Sequence, residues 1–197
     1  MYAFYRCRNL ESAVLPDSVT QIFMHAFYGC SGLKSLNFPQ YLTLIDSYAF
    51  AYSGLEKIEL PSDVVIIADH SFEGCGHLTD VKLPENLLEI ENNAFYNCIE
   101  LKSIVIPEHT RKIGNYVFQK CEKLSEITIP KSVKEFGVDP LSFCSPDLTI
   151  ISSEKSVAYE YAMDRHMPFQ SIEGGDEKIV YTGFCGDNIK WKITKEG

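Results

Sequence analysis

The residues whose chemistry could support catalysis or metal binding are the cysteines and histidines, seven and five in number. Cys75 and His77 would form a nucleophile and its general base if their side chains met in space, but close loop neighbours rarely reach that geometry. Asp176 and Glu177 lie in a stretch with the composition of a linker. The sequence contains no glycine-rich phosphate loop and no paired metal motif. It therefore predicts a protein without enzymatic activity, metal or cofactor.

Six of the cysteines share one position of a repeated pattern: Cys7, Cys30, Cys75, Cys98, Cys121 and Cys144. Equivalent positions on adjacent parallel coils lie about 4.8 Å apart, with side chains pointing the same way. A disulfide needs facing Cβ atoms, and zinc ligands come in close pairs. We expect a column of buried free thiols that pack as small apolar residues. His25 and His70 lie two coils apart, about 10 Å, too far to share a metal.

The repeat has a period of about 23 residues. Phenylalanine marks it at Phe4, Phe27, Phe50, Phe72, Phe95, Phe118 and Phe143, and proline at Pro16, Pro39, Pro61, Pro84, Pro107 and Pro130. Such a period is typical of a solenoid, in which each repeat packs only on its neighbours. We predict about six and a half coils of α/β class, with mostly short parallel strands and turns. The phenylalanines should stack as a spine in the core.

Each repeat contains two candidate strands. The pattern Leu-x-x-Ile-x-Ile-Pro alternates with period two and ends on a strand-breaking proline, so it predicts a main parallel sheet along the whole stack. A second apolar segment lies five residues before each phenylalanine, as at Ile90 and Ile113. Two repeats are irregular. The loop from Phe50 to Leu55 is one residue shorter and has Ser53 near the missing cysteine, and the last repeat, up to Phe143, gains two residues.

We divide the chain into four parts. Residues 1–150 form the repeat array, which begins in the middle of a repeat without a signal-peptide pattern, so we expect a piece of a longer protein. Residues 151–172 form a C-terminal cap with a short helix after Ser156, a plausible N-cap. Residues 173–178 form a linker. Residues 179–197 alternate around Cys185 to Asn188 and predict a β-hairpin that starts a further module.

The net charge argues against two classes of partner, nucleic acids and anionic membranes. It is −9, with 18 basic against 27 acidic residues and no basic cluster. Nucleic-acid binding requires a positive footprint, and anionic membranes attract basic segments. We therefore expect neither as a partner. No apolar run approaches the roughly 18 residues of a membrane span.

The consensus Ala-Phe-x-x-Cys-x-x-Leu-x-x-Ile-x-Ile-Pro resembles the BspA-like leucine-rich repeat family. The resemblance covers about residues 2–170, and Ser156 to Phe169 is similar to the helical cap of such arrays. The tail from Thr182 to Trp191 resembles a segment found beside these arrays in large bacterial surface proteins. The resemblance implies a leucine-rich-repeat solenoid that is secreted or at the cell surface, often in host-associated bacteria or protists, with a role in adhesion. No catalytic residue belongs to the family pattern.

Two surfaces are candidates for binding. The first is the outward face of the main sheet: Ser35, Asn37, Lys57, Glu59, Asp80, Lys82, Ser103, Val105, Glu126 and Thr128. Lys57 stacks on Asp80 and Glu59 on Lys82, so this face could equally be a solvated surface whose charges neutralise each other. The second is an aromatic edge two residues before each phenylalanine: His25, Tyr48, His70 and Tyr116. Its rings could anchor a partner or simply stack and shield the turn beneath.

Three functions remain open at this point. The first is an adhesion-type module that binds a protein such as a host matrix or cell-surface protein through the main sheet. The second is a structural spacer or scaffold that carries another functional domain. The third is a carbohydrate-binding module that uses the tyrosine-rich edge.

Overall fold

The computed structural model describes residues 1–173, 178–185 and 189–193. The repeats form a parallel β-solenoid of seven coils, closed at its C-terminal end by one short helix, so the predicted fold is confirmed. A typical coil contains a main-sheet strand, a turn at proline, a two-residue second strand and a turn around phenylalanine. Aliphatic, phenylalanine and cysteine side chains from both sets of strands and from the phenylalanine turns fill one continuous core.

The main sheet consists of seven short strands that stack in parallel: β1 Ser12–Val14, β3 Ser35–Asn37, β5 Lys57–Glu59, β7 Asp80–Lys82, β9 Ser103–Val105, β11 Glu126–Thr128 and β13 Thr149–Ser152. The sequence predicted a main sheet that runs uninterrupted along the whole stack, and this prediction was wrong. Strand pairing breaks between β3 and β5 and between β7 and β9. The first break follows the shortened loop at Ser53, and at the second a surface cleft separates the strands.

The second apolar segments are short strands, as predicted, and they form a continuous six-stranded parallel sheet. Its strands are β2 Gln21–Ile22, β4 Leu44–Ile45, β6 Ile66–Ile67, β8 Glu89–Ile90, β10 Lys112–Ile113 and β12 Glu135–Phe136. The second residue of each strand points into the core, and Ile45, Ile67, Ile90 and Ile113 are fully buried. Strands of two residues persist here because the four inner strands pair with a neighbour on both sides and all six cover the core.

The phenylalanine spine is confirmed from Phe27 to Phe118. Its rings are buried and nearly parallel, with centroids 5.2–5.6 Å apart from one coil to the next. Each phenylalanine is flanked, two residues before and two after, by residues with positive φ. In one coil these are Asn93 (φ 56°) and Asn97 (φ 60°) around Phe95. Two left-handed residues per coil turn the chain sharply and direct the ring inward.

The prediction that Phe143 continues the spine was wrong. Phe143 is 72% exposed, whereas Leu141 is buried. Phe118 donates its N–H to Pro140 just as Phe95 donates to Val117, so Leu141 occupies the phenylalanine position of the last coil. The last repeat therefore gains no residues. Leucine replaces phenylalanine there, and Cys144 remains in the cysteine column 23 residues after Cys121.

The cap consists of helix α1 (Val157–Asp164) and the strand that follows it. Ser156 caps the helix N-terminus by accepting a hydrogen bond from the Tyr159 N–H, as predicted. Ala158 and Ala162 of the helix are buried against the last coil, and Arg165 bonds Asp139 at 2.6 Å. Small residues on the inner face let the helix approach closely and cover the open end of the core.

Strand β14 (Phe169–Glu173) adds to β13 in parallel. Strands β15 (Lys178–Cys185) and β16 (Ile189–Ile193) then continue that sheet as an antiparallel pair. Residues 174–177 of the predicted linker, with Asp176 and Glu177, lie outside the described residues, as do Gly186 to Asn188. That this hairpin starts a further module stays a prediction.

Candidate functional site

The buried thiols of the cysteine column are not nucleophiles. The thiols of Cys30, Cys75, Cys98 and Cys121 are fully buried and free, as predicted, whereas Cys7 in the first coil is exposed and Cys144 in the last is half-buried. Burial raises the pKa of the Cys75 thiol to about 11 and that of Cys144 to about 12, so both are protonated at neutral pH. His77 is exposed while Cys75 is enclosed, so the two do not form a catalytic pair.

The buried thiols also make hydrogen bonds that the sequence did not reveal. Each donates to the carbonyl of the phenylalanine in the preceding coil, as Cys98 does to Phe72 at 3.3 Å. Ser53 occupies the cysteine position of its own coil and lies 3.3 Å from the Cys75 sulfur. The column therefore ties the coils together along the inside of the phenylalanine turn, and it is structural.

The described residues contain no group of three or more His, Cys, Asp or Glu side chains that could hold a metal ion. Nor does any helix among them have the length and apolar character needed to cross a membrane.

The main-sheet face presents its predicted residues outward. All ten are exposed except Thr128, which is half-buried. In the middle of the face the charges pair across the strands: Lys57 lies 3.8 Å from Asp80, and Lys82 lies 2.5 Å from Glu59. The expectation that these four charges neutralise each other is thus confirmed. Exposed pairs of this kind contribute little to stability.

Other parts of the main-sheet face differ in how free their side chains are. The Asn37 amide is committed to the backbone of the preceding coil: it accepts from the Leu15 N–H at 3.0 Å and donates to the Leu15 carbonyl. Val105, by contrast, is 64% exposed beside the cleft of about 510 Å³ at the second break of the sheet. The groups of this face that remain free for a partner therefore lie around Val105 and not at its centre.

The aromatic edge is a ladder of stacked rings over its first four coils. Tyr2, His25, Tyr48 and His70 follow one another with centroids 5.0, 5.1 and 4.4 Å apart and planes within 15° of parallel. The stacking interpretation is therefore confirmed for these residues. Tyr48 is nonetheless half-buried and Tyr116 is 36% exposed, so the rings remain accessible at the surface.

The residues of this column share one backbone conformation: φ is between 56° and 59° from Tyr2 to Tyr116. Tyrosine and histidine rarely adopt the left-handed region, which costs of the order of 1–3 kcal/mol for each residue. The repeated backbone holds each ring at a fixed position on its coil. A groove of about 530 Å³ runs beside the column, and its lining includes Tyr48, His70 and Tyr116.

Glu73 fixes the His70 ring. Its carboxylate bonds His70 Nδ1 at 2.6 Å and accepts the Tyr52 hydroxyl at 2.5 Å. The hydrogen bond to Glu73 raises the pKa of Tyr52 far above its usual value. The phenol therefore stays protonated as a donor, and the three side chains form one connected group at the base of the ladder.

A third surface was missed by the sequence reasoning. On the second sheet an apolar patch crosses three adjacent coils: Tyr41, Leu44, Val65, Ile66 and Leu88, of which all but the half-buried Leu44 are exposed by 38–57%. Val65 accepts the Leu88 N–H directly, and strands β4 and β6, which carry Leu44 and Ile66, pair with each other, so these four residues lie on adjoining coils. The sequence did contain a signal for this patch, at positions that are polar in other coils. Ile66 lies where other coils carry Gln21 or Lys112, and Leu88 where the next coil carries Arg111.

The comparisons with known proteins agree with the coils described above. The sequence matches the BspA type leucine rich repeat region, with six copies, over residues 1–98 and 43–166. No curated protein matches the chain.

Two solved structures have similar folds. A leucine-rich repeat protein from Bacteroides ovatus is 29% identical with a TM-score of 0.70, and the match covers 78% of this chain and 46% of that one. The leucine rich repeat protein of T. pallidum is 30% identical with a TM-score of 0.50, over 72% of this chain and 58% of that one. The chain thus spans about half the length of these relatives. Because the repeat profile extends over most of the solenoid, this chain belongs to the BspA-type leucine-rich repeat family.

Proposed function

We propose that the chain is a non-enzymatic, extracellular protein-interaction module of adhesion type within a larger protein. Its family membership supports a repeat-based interaction role, because solenoids offer extended surfaces to partners. The strongest catalytic candidate is Cys75 with His77, and the Cys75 thiol is buried and protonated, so it is not available as a nucleophile. Within this proposal the partner is a protein, such as a host matrix or cell-surface protein.

The observation that carries the proposal is the apolar patch on the second sheet. Contiguous exposed apolar surface on a soluble protein marks interaction sites, and tyrosine is a favoured anchor at their centre. Asp63 follows Tyr41 in the same column and is exposed. With a net charge of −9, the patch is complementary to a partner that has apolar anchors inside a basic rim.

The main-sheet face is the alternative surface for the same function. Its central charges satisfy each other, so a partner would have to displace these ion pairs or bind near Val105 and the adjacent cleft. We place the main contact on the apolar patch because binding there removes apolar area from water without breaking an existing ion pair.

The test is a binding screen of the chain against matrix and host-cell surface proteins, with two matched variants. The patch variant carries Tyr41→Asp, Ile66→Gln and Leu88→Arg, each a residue that the same column holds in another coil. The face variant carries Val105→Glu and Thr128→Glu. Every replacement is on the surface, so both variants should keep the circular dichroism spectrum and melting temperature of the parent.

We expect the parent and the face variant to bind and the patch variant to lose at least tenfold in affinity. The reverse pattern would move the contact to the main-sheet face. Absence of binding by the parent across a broad panel would contradict the interaction role and favour a structural spacer that carries another domain.

A further inference from the structure

The aromatic column has a gap of one ring. Tyr48 and His70 stack at 4.4 Å, but the next residue of the column is Asn93, and the following one is again aromatic, Tyr116. All four have φ of 56° or 57°. The His70 and Tyr116 positions are thus related by two coil steps, about 10 Å, with no ring between them.

A ring placed midway would lie about 5 Å from each neighbour, by the same coil spacing. The rings that the column does contain are 4.4–5.1 Å apart. The gap therefore has the width that one further six-membered ring would fill, with His70 on one face and Tyr116 on the other. It opens onto the groove of about 530 Å³ that runs beside the column.

Polar groups line the floor of this groove. The Asn115 oxygen accepts the Val138 N–H at 2.7 Å, and because only the oxygen can accept, its NH₂ group is left for another acceptor. Asp69 uses one carboxylate oxygen, Oδ1, to accept from both nitrogens of Asn92. Among the described residues, no hydrogen bond involves the side-chain amide of Asn93, the Asn115 NH₂ or Asp69 Oδ2.

The His70 ring and the Tyr116 backbone are fixed before any ligand arrives. His70 is held by Glu73 on one side and by its stack with Tyr48 on the other. Tyr116 is held by its left-handed backbone, since its N–H donates to the Val138 carbonyl of the next coil. After glycine, asparagine is among the residues that best tolerate the left-handed conformation, which is sufficient reason for an Asn in this column. It does not explain why unpaired amide and carboxylate groups converge beside two exposed rings.

We propose that the slot formed by His70, Asn93 and Tyr116 binds one pyranose ring of a neutral glycan. A sugar offers apolar C–H faces to the two rings and hydroxyl groups to the amides and the carboxylate of the floor. An aromatic side chain of a peptide would fill the same width but leave those polar groups unpaired, which is costly. Asp69 in the groove, Glu73 bonded to His70 and a net charge of −9 oppose an anionic sugar.

The decisive variant is Asn93→Tyr, which completes the column. Tyrosine already occupies this position in other coils, so the backbone accepts it, and the new ring would fill the slot. Asn93→Gly keeps the slot open and removes only the amide. Tyr116→Ala removes one wall, and Tyr2→Ala removes a ring of the same column far from the slot as the matched control.

The probes are tetrasaccharides of glucose, galactose, mannose and N-acetylglucosamine, titrated into the full chain by calorimetry and by NMR of the tyrosine and histidine ring protons. We expect at least one to bind and to shift the Tyr116 and His70 signals. Asn93→Tyr should weaken it at least tenfold without lowering the melting temperature, and Tyr116→Ala by about two- to tenfold, as for one ring contact. Tyr2→Ala should bind as the parent does.

Three results would overturn the proposal: no neutral tetrasaccharide binds, binding survives Asn93→Tyr unchanged, or tryptophan- and tyrosine-containing peptides bind in their place and are lost in that variant. Should Asn93→Tyr fail to fold, unchanged binding by Tyr116→Ala decides against the slot. None of these outcomes depends on the apolar patch, so this proposal and the proposed protein-binding function fail separately.

Discussion

Truncating Phe95 to alanine tests the whole repeat architecture at one position. The Phe95 ring is fully buried and stacks on Phe72 at 5.4 Å and on Phe118 at 5.6 Å. Removing a core phenylalanine costs about 3–5 kcal/mol, because the transfer free energy is lost and a cavity remains. The two ring stacks contribute about 0.5–1.5 kcal/mol each to that loss. We therefore expect the loss in free energy of unfolding for Phe95→Ala to lie in the upper half of this range.

The comparison variant is Cys98→Ser, one turn away in the same coil. Its thiol donates to the Phe72 carbonyl at 3.3 Å, so a serine hydroxyl has a partner in place, and Ser53 shows that the column accepts serine. We expect a cost of about 1 kcal/mol, well below that of Phe95→Ala. The volume change is small, and no donor is left unpaired.

The assay is urea unfolding followed by circular dichroism, with the free energy of unfolding from the linear extrapolation. At roughly 2–4 °C per kcal/mol for a chain of this size, Phe95→Ala should also lower the melting temperature by about 6–20 °C. A change in the m-value would indicate that the coils on either side unfold separately. Equal losses for the two variants, or a loss below about 1 kcal/mol for Phe95→Ala, would refute the stacked spine.

Two further predictions concern the thiols. A thiol with a raised folded pKa stabilises the fold below its unfolded pKa of about 8.5, and that stability is lost as pH rises toward the folded value, about 11 for Cys75. Above about pH 8.5 the free energy of unfolding should fall by about 1.4 kcal/mol per pH unit for each such thiol. In Cys75→Ser this slope should be smaller by the contribution of one thiol, and identical slopes for the parent and the variant would contradict the burial of Cys75. In native alkylation at pH 8, Cys7 should react in minutes and Cys98 only on unfolding, and rapid labelling of Cys98 in a peptide map would contradict the column.

The fold was predictable wherever one residue type repeats at a fixed place in the coil. Ile90 and Phe95 identified the second sheet and the spine because their columns hardly vary. Phe143 misled for the same reason: residue type was used to infer position, although Leu141 holds the buried position there. Only the hydrogen bonds between coils, such as the one from Phe118 to Pro140, reveal which residue continues a column.

The candidate surfaces were less predictable because the sequence defines which side chains point outward but not what they contact. The charges at Glu59 and Lys82 could be paired from register alone, and they are. The Asn37 amide, by contrast, turns back to the Leu15 backbone. The apolar patch was hidden because two-residue strands are too short for alternation to show. Leu88 can be recognised as part of an apolar patch only when it is compared with Val65, which lies 23 residues earlier.

The column of left-handed residues from Tyr2 to Tyr116 connects the repeat architecture with the proposed glycan slot. Residue propensity would place Asn or Gly at these positions, and tyrosine and histidine occupy them instead at a conformational cost. That cost is offset when each ring stacks on the ring of the next coil, as Tyr48 does on His70, so aromatic residues in this column stabilise one another. An interruption at Asn93 therefore leaves His70 without a ring neighbour on one face, and Tyr116, whose other neighbour in the column is Asp139, without one on either. A ligand ring that enters the gap restores the missing contacts, which is why filling it with tyrosine should stabilise the fold and abolish binding together.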